Sequence, residues 1–308
     1  DNRISNNAVD VMQTQSQVDE NGQFIDQNLS DITINANGIA TNTASGKSNS
    51  LDIASNDAEI IKANTSISTN TSSIDNNLEA IEDIDEQTIK TYVTWTVGTS
   101  ASAEYADLAE ALDAARKVTI APTGRILITL EDGTYSHTST LSLSHPQGER
   151  LVIRGNISAP ESVVLQFAGV GGLKLSESAY LSSLGGLTLQ GDGTSGTRGL
   201  SIHHGAYGHF GNLIIRDFGS HGVVLGYLAS AQFKDYSVEI YDNGNNGVYV
   251  HTGSSLRAVG LNSHDNGGYG LHATRGSILT VSNAIFKDNL VYGLLASYGS
   301  YINARGAE

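Results

Sequence analysis

Not one of the 308 residues is cysteine, so neither disulfides nor thiolate-held metals contribute, and cohesion has to come from packing and association. Proline occurs three times, and tryptophan and methionine once each. Basic residues are outnumbered, 17 Lys plus Arg against 32 Asp plus Glu. No Lys/Arg stripe is interleaved with aromatics, and the net negative charge repels phosphate backbones and anionic lipid heads, which excludes nucleic acid as a partner. No apolar run approaches the ~18 residues of a membrane span, and the N-terminus lacks the basic and apolar regions of a signal peptide. Membrane insertion is therefore not expected, and export would need another route.

Aromatic side chains are missing from one stretch in particular. Residues 1–90 hold only Phe24, while all thirteen Tyr and the single Trp, Trp95, lie beyond. Charge divides at the same place. Residues 1–90 carry fifteen acidic side chains against four basic ones (Arg3, Lys47, Lys62, Lys90), whereas residues 91–308 carry seventeen against thirteen. The front segment has no material for a globular core, and the chain divides near residue 90.

What the front segment does have is a seven-residue clock. Ile4, Val11, Val18, Ile25, Ile32, Ile39, Gly46, Ile53, Ile60, Ile67, Ile74 and Ile81 keep one phase, and eleven of the twelve are β-branched. Three residues after each comes a second series, in which nine of twelve are Asn, from Asn7 to Asn77. A disordered polar linker has no reason to keep Ile on this period. The pattern predicts a left-handed coiled coil over 1–90 with Ile/Val at a and Asn at d. An isolated helix of this composition is marginal, so burial of the Ile layers between chains is what would order it. Gly22, Gly38 and Gly46 depart from the pattern, which leaves two readings of the first half open, interrupted or non-helical on one side and continuous helix on the other. Fully helical, the segment would be a rod on the order of 120 Å at 1.5 Å per residue.

This Ile/Asn heptad, with the pairs Asn42-Thr43, Asn64-Thr65 and Asn70-Thr71, resembles the stalks of trimeric autotransporter adhesins and phage tail fibres. The resemblance implies a homotrimer whose core Asn amides converge on the axis and commonly hold chloride. It carries anion binding to Asn21, Asn28, Asn35, Asn42, Asn49, Asn56, Asn70 and Asn77. No other cofactor and no metal is implied.

Beyond residue 90 the pattern changes. Residues 91–100 read as a neck or linker containing a short alternating strand, Tyr92–Val97. Residues 101–120 hold one amphipathic helix with Tyr105, Leu108, Leu112 and Ala115 on a face. Residues 121–308 then repeat. Gly199, Gly222, Gly247, Gly270 and Gly293 are spaced by 23, 25, 23 and 23 residues, each followed by apolar residues at the first and third places. Short strands recurring every 23 or so residues form the coils of a parallel β-helix. The fold class is therefore mostly β, a right-handed parallel β-helix preceded by a trimeric coiled-coil stalk. The strand Ile128 to Tyr135, ending Gly-Thr-Tyr, and Leu151 to Gly155 resemble the N-terminal end of pectin-lyase-like proteins, where a small helix caps the first coil. The last repeat is shorter than the others, which predicts that the native polypeptide continues.

Candidate sites follow from the repeat. Asp217, Asp242, Asp265 and Asp288 stand five residues before four of the glycines and would form a column. Repetition at every coil suits a structural turn column better than a unique catalytic centre, since Asp tolerates left-handed geometry. Asp235 and Glu239 lie on the one coil with two extra residues and are the candidates for acid and base, provided they sit about 5 to 10 Å apart. His203, His204, His251, His264 and His272 show no metal-ligand spacing and are expected at surface turns.

A trimeric stalk feeding a β-helix resembles bacteriophage tail fibres and tailspikes. That resemblance implies a place on the virion tail, outside the cell, partners among other tail or baseplate proteins, and attachment to a host surface polysaccharide. Two alternatives share the parts: a tailspike depolymerase, lyase or glycosidase, and a bacterial trimeric autotransporter adhesin.

Overall fold

The structure, a computed structural model, describes residues 2–308 apart from the side chains of Asp235 and Tyr236. Two compact units are present, Asp1–Ile81 and Glu82–Glu308.

The first unit belongs to one helix, Asn2–Glu86, of which no residue is buried. It runs unbroken through Gly22, Gly38 and Gly46, so of the two readings of the first half the continuous helix is the one observed. A helical glycine costs about 1 kcal/mol relative to alanine and does not by itself end a helix. The many Ser and Thr are accommodated by back-bonding. The hydroxyls of Thr33, Thr41, Thr43, Thr65 and Thr71 donate to the carbonyls of Leu29, Asn37, Ile39, Ile61 and Ile67, at 2.8–3.0 Å. The isoleucines of the seven-residue series remain largely open, for instance Ile53 at 62%, Ile60 at 57% and Ile67 at 62% exposure.

The second unit is a parallel β-helix. One sheet of seven strands runs Leu141–Ser142, Leu173–Leu175, Leu200–His203, Val223–Gly226, Val248–Val250, Leu271–Ala273 and Leu294–Ala296, each paired in parallel with the next. A thirteen-stranded sheet supplies the other walls, and its main path begins at Tyr92–Val97. That segment pairs in parallel with Arg125–Leu130 over six residues, so the strand expected in the neck forms part of the solenoid wall.

Period-two alternation decides what goes inside. Leu200 and Ile202, Val223 and Leu225, Val248 and Val250, and Leu271 and Ala273 point inward from successive coils into one continuous core. Phe167, Phe210, Phe218 and Phe233 fill it and are essentially fully buried. At the N-terminal end a helix shorter than expected, Leu108–Ala115, packs on the strands Tyr92–Val97 and Arg125–Leu130. Asp107 caps it, its carboxylate accepting the Glu110 N–H at 2.9 Å, and Leu108, Ala111, Leu112 and Ala115 are buried. Tyr105, expected on that face, lies before the helix in a bridge with Val97 and half-buried against Trp95.

Buried amides complete the coils. Asn243 Nδ2 donates to Asn266 Oδ1 and Asn266 Nδ2 to Asn289 Oδ1, both at 3.0 Å. The same amides reach the carbonyls of Tyr241, Ile240 and His264. Stacked coils place these groups one above another, so each buried donor finds its acceptor in the next coil.

Candidate functional site

The largest concentration of chemically useful side chains lies on the outer face of the seven-stranded sheet. Inward apolar residues leave every second position of these strands facing out, and register stacks them. One column runs Lys174, Ser201, Val224, Tyr249, His272 and Leu295. A second, immediately before each repeat glycine, runs Arg198, His221, Asn246, Tyr269 and Tyr292. A third begins His203, Gly226 and His251 at the strand ends.

Rings from these columns pack across one another. Tyr249 stacks on His221 at 4.9 Å between centroids and 19°, lies 5.1 Å from His251 and 5.4 Å from His272. Tyr269 lies 4.9 Å from His272 and 6.0 Å from Tyr292. At the N-terminal end Tyr227 stacks on His204 at 5.1 Å and 14°. Val224 faces outward yet is only 1% exposed, so neighbouring rungs close over it.

Gly226 shapes this surface. Coils are about 4.8 Å apart, so His203 and His251, two coils from each other, would stand about twice that distance apart. Their ring centroids are instead 6.3 Å apart, because both lean over a residue without a side chain. A Cβ at Gly226 would lie 2.4 Å from His251 Nε2 and 3.0 Å from His203 Nδ1.

Burial sets the charge state of the imidazoles. It pushes His203 and His221 down to about 4, with Arg198 adding repulsion in both cases. Burial also lowers His251, with Arg275 and Arg198 adding to it, and lowers His272. At neutral pH these four imidazoles of the face are therefore uncharged rings with hydrogen-bonding edges. The fixed positive charge of the face comes from lysine and arginine. Next to it opens a cleft of about 630 Å³, whose walls include Thr140, Lys174, Arg198, His203, His204 and Tyr227.

The residues singled out in the sequence fall elsewhere. Asp217, Asp242, Asp265 and Asp288 have φ of 64°, 52°, 51° and 53°, the left-handed geometry of a turn. Glu239 lies in the strand Ser230–Tyr241, where its carboxylate accepts from Asn262 Nδ2 at 3.0 Å and His264 Nε2 at 3.1 Å. The other ring nitrogen of His264 is 2.6 Å from Asp265, and Tyr241 stacks on the ring at 5.0 Å and 8°. Asp235 lies in the same strand, and its side chain lies outside the described residues. The two extra residues form a bulge, with Asp235 to Ser237 opposite Asn212 alone. The eight stalk asparagines, Asn21 to Asn77, are all helical and exposed.

His203, His264 and His272 belong to strands rather than turns, which corrects the expectation for them, while His204 does occupy a turn at φ 54°. The platform residues Arg198, His221, Tyr249 and Tyr269 were not singled out in the sequence. The signal was present: they occupy the place before and the second place after each repeat glycine. Among the described residues no group of three or more His, Asp or Glu is arranged to hold a metal ion, and no helix is long and apolar enough to cross a membrane.

Residues 166–307 match the family model described as the right handed beta helix region, so the solenoid is of the right-handed class. Among solved structures, the A-module of the mannuronan C-5 epimerase of Azotobacter vinelandii is similar. The identity is 16% and the TM-score 0.40, over 65% of this chain and 71% of that one. No curated protein sequence matches the chain.

Proposed function

We propose that this chain is the shaft and recognition region of a homotrimeric phage tail fibre or tailspike, which attaches the virion to a polysaccharide on the host surface. The observation that carries the recognition role is the three-column Tyr/His face. Uncharged rings offer flat apolar surface to sugar faces, and their ring nitrogens and hydroxyls offer hydrogen bonds to sugar hydroxyls. Rings packed against one another from successive coils form a surface that extends along the solenoid, which suits a polymer lying along it. Three copies of the face would turn weak contacts into avidity.

Trimerisation in this reading is the task of the helix Asn2–Glu86. Its isoleucines at seven-residue spacing stand exposed in the single chain, and association of three helices would bury them. Asn21, Asn28, Asn35, Asn42, Asn49, Asn56, Asn70 and Asn77 would then meet their counterparts on the axis and hold chloride between their amides. The fibre projects from the tail outside the cell, and its other partners are tail or baseplate proteins.

The test is binding of the full chain to immobilised capsular and lipopolysaccharide glycans. At least one is bound, and Tyr249→Ala weakens it about tenfold, the equivalent of 1.4 kcal/mol. Equal binding by wild type and variant would sink the assignment of the face. A depolymerase is the second reading, favoured by the set Glu239, His264 and Asp265 with Asn262. Release of reducing or unsaturated ends from a bound glycan, abolished in Glu239→Gln, would establish it in place of simple attachment.

A further inference from the structure

We propose that the cleft beside the aromatic platform is an anion subsite, where Lys174 and Arg198 take a negatively charged substituent of the glycan while His203 hydrogen-bonds the same sugar unit. The substituent is a sugar carboxylate or an ester-linked sulfate or phosphate. This inference rests on the glycan reading of the platform and goes beyond it by naming the class of polymer.

Three observations carry it. The first is charge. The chain has a net charge of −15, yet the cleft walls hold Lys174, Arg198, His203 and His204 and no carboxylate. Asp192 is the carboxylate hydrogen-bonded to the cleft's rim. Its oxygens are occupied by the backbone N–H groups of Gly169 at 2.7 Å and Thr194 at 3.0 Å, and it does not line the cavity. The second is pairing. Both cations are exposed, and among the described residues neither forms an ion pair; those present involve other lysines and arginines or His264. Two unpaired cations on the wall of an acid-free cavity are positioned for an anion that comes from outside the chain.

The third is an orphan atom. His203 Nδ1 is buried and has no hydrogen-bond partner within the protein. A buried polar atom left unpaired costs free energy that a ligand hydroxyl can recover. The atom lies beside Gly226, whose missing side chain leaves the notch between His203 and His251. Lys174 from one coil and Arg198 and His203 from the next all line the same cleft.

The experiment uses the full chain and three matched pairs of polymers: polygalacturonate and its methyl ester, dextran sulfate and dextran, phosphomannan and mannan. Binding is measured by calorimetry at low and at physiological salt. At least one charged member is expected to bind about tenfold or more tightly than its neutral partner, with affinity falling as salt rises. Which pair shows the difference identifies carboxylate, sulfate or phosphate. The double variant Lys174→Gln, Arg198→Gln should reduce the charged polymer to the level of the neutral one with unchanged thermal melting, since both side chains are exposed. Tyr249→Ala should weaken both members. Equal binding of charged and neutral members, unaffected by the double variant but weakened by Tyr249→Ala, would overturn the anion subsite and leave the platform standing. Salt-sensitive binding that survives the double variant would place the anion elsewhere and overturn it too. Binding of none of the six polymers would count against both readings.

Discussion

No residue of the helix Asn2–Glu86 is buried within its own chain, whereas the β-helix hides an unbroken column of Leu, Ile, Val and Phe from water. Both regions repeat, one every 7 residues and the other every 23 to 25. The difference lies in where the repeat finds its neighbour. A β-helical coil packs on the coil before and after it in the same chain, so repetition closes the core without help. A helical heptad meets only its own turns, and its isoleucine stripe has no internal surface to rest on.

Substitution of the stripe gives the largest expected effect. Ile53→Ser, Ile60→Ser and Ile67→Ser together remove three layers, and each buried Ile contributes about 1.5–3 kcal/mol. Sedimentation is expected to change from a trimer to a monomer with loss of helical circular dichroism, while the β-helix melts as before. A wild-type chain that sediments as a monomer would break the contrast outright. A smaller change tests the self-sufficient region. Asn266→Ala opens the amide ladder at its middle: the buried Asn243 N–H loses the Asn266 Oδ1 acceptor it holds at 3.2 Å, and the carbonyls of Ile240 and His264 lose the amide donor, at a cost of about 1–3 kcal/mol. The melting temperature of the β-helix should fall and the oligomeric state should not change.

The mildest perturbation is a change of pH. Burial holds His203 and His221 at about 4 in the folded chain, against about 6.5 when unfolded. Between these values the unfolded chain binds more protons, so the β-helix loses stability as pH falls from about 6.5 towards 4 and keeps it in full above that window. Denaturant titrations across this range should show the decline, and His221→Asn should flatten it. A pH-independent midpoint would show that the platform imidazoles titrate alike in both states.

Much of this was legible because both repeats write their periods in apolar residues. Gly199, Gly222, Gly247, Gly270 and Gly293 located the coils, and after the first four of them the first and third residues are those found inside. The helix was legible for the same reason, and only the glycines at 22, 38 and 46 left its continuity open. The Tyr/His face was harder to see because its chemistry is not periodic. Register, not residue type, brings Tyr249 between His221 and His272, and the alignment of coils has to be fixed before those neighbours are known. Asn243, Asn266 and Asn289 directly follow three of the turn aspartates, a place that by itself suggests only more turn formers. Only stacking shows that their amides bond one another inside the wall.

The bulge at Asp235–Ser237 carries a lesson about growth. Two surplus residues are taken up within one coil, and pairing resumes at Val238 without disturbing the coils on either side. A wall that absorbs an insertion locally can also gain or lose whole turns, each shifting the end of the molecule by one strand spacing. Length and surface chemistry can thus vary independently, as the span of a ruler is independent of the marks engraved on it.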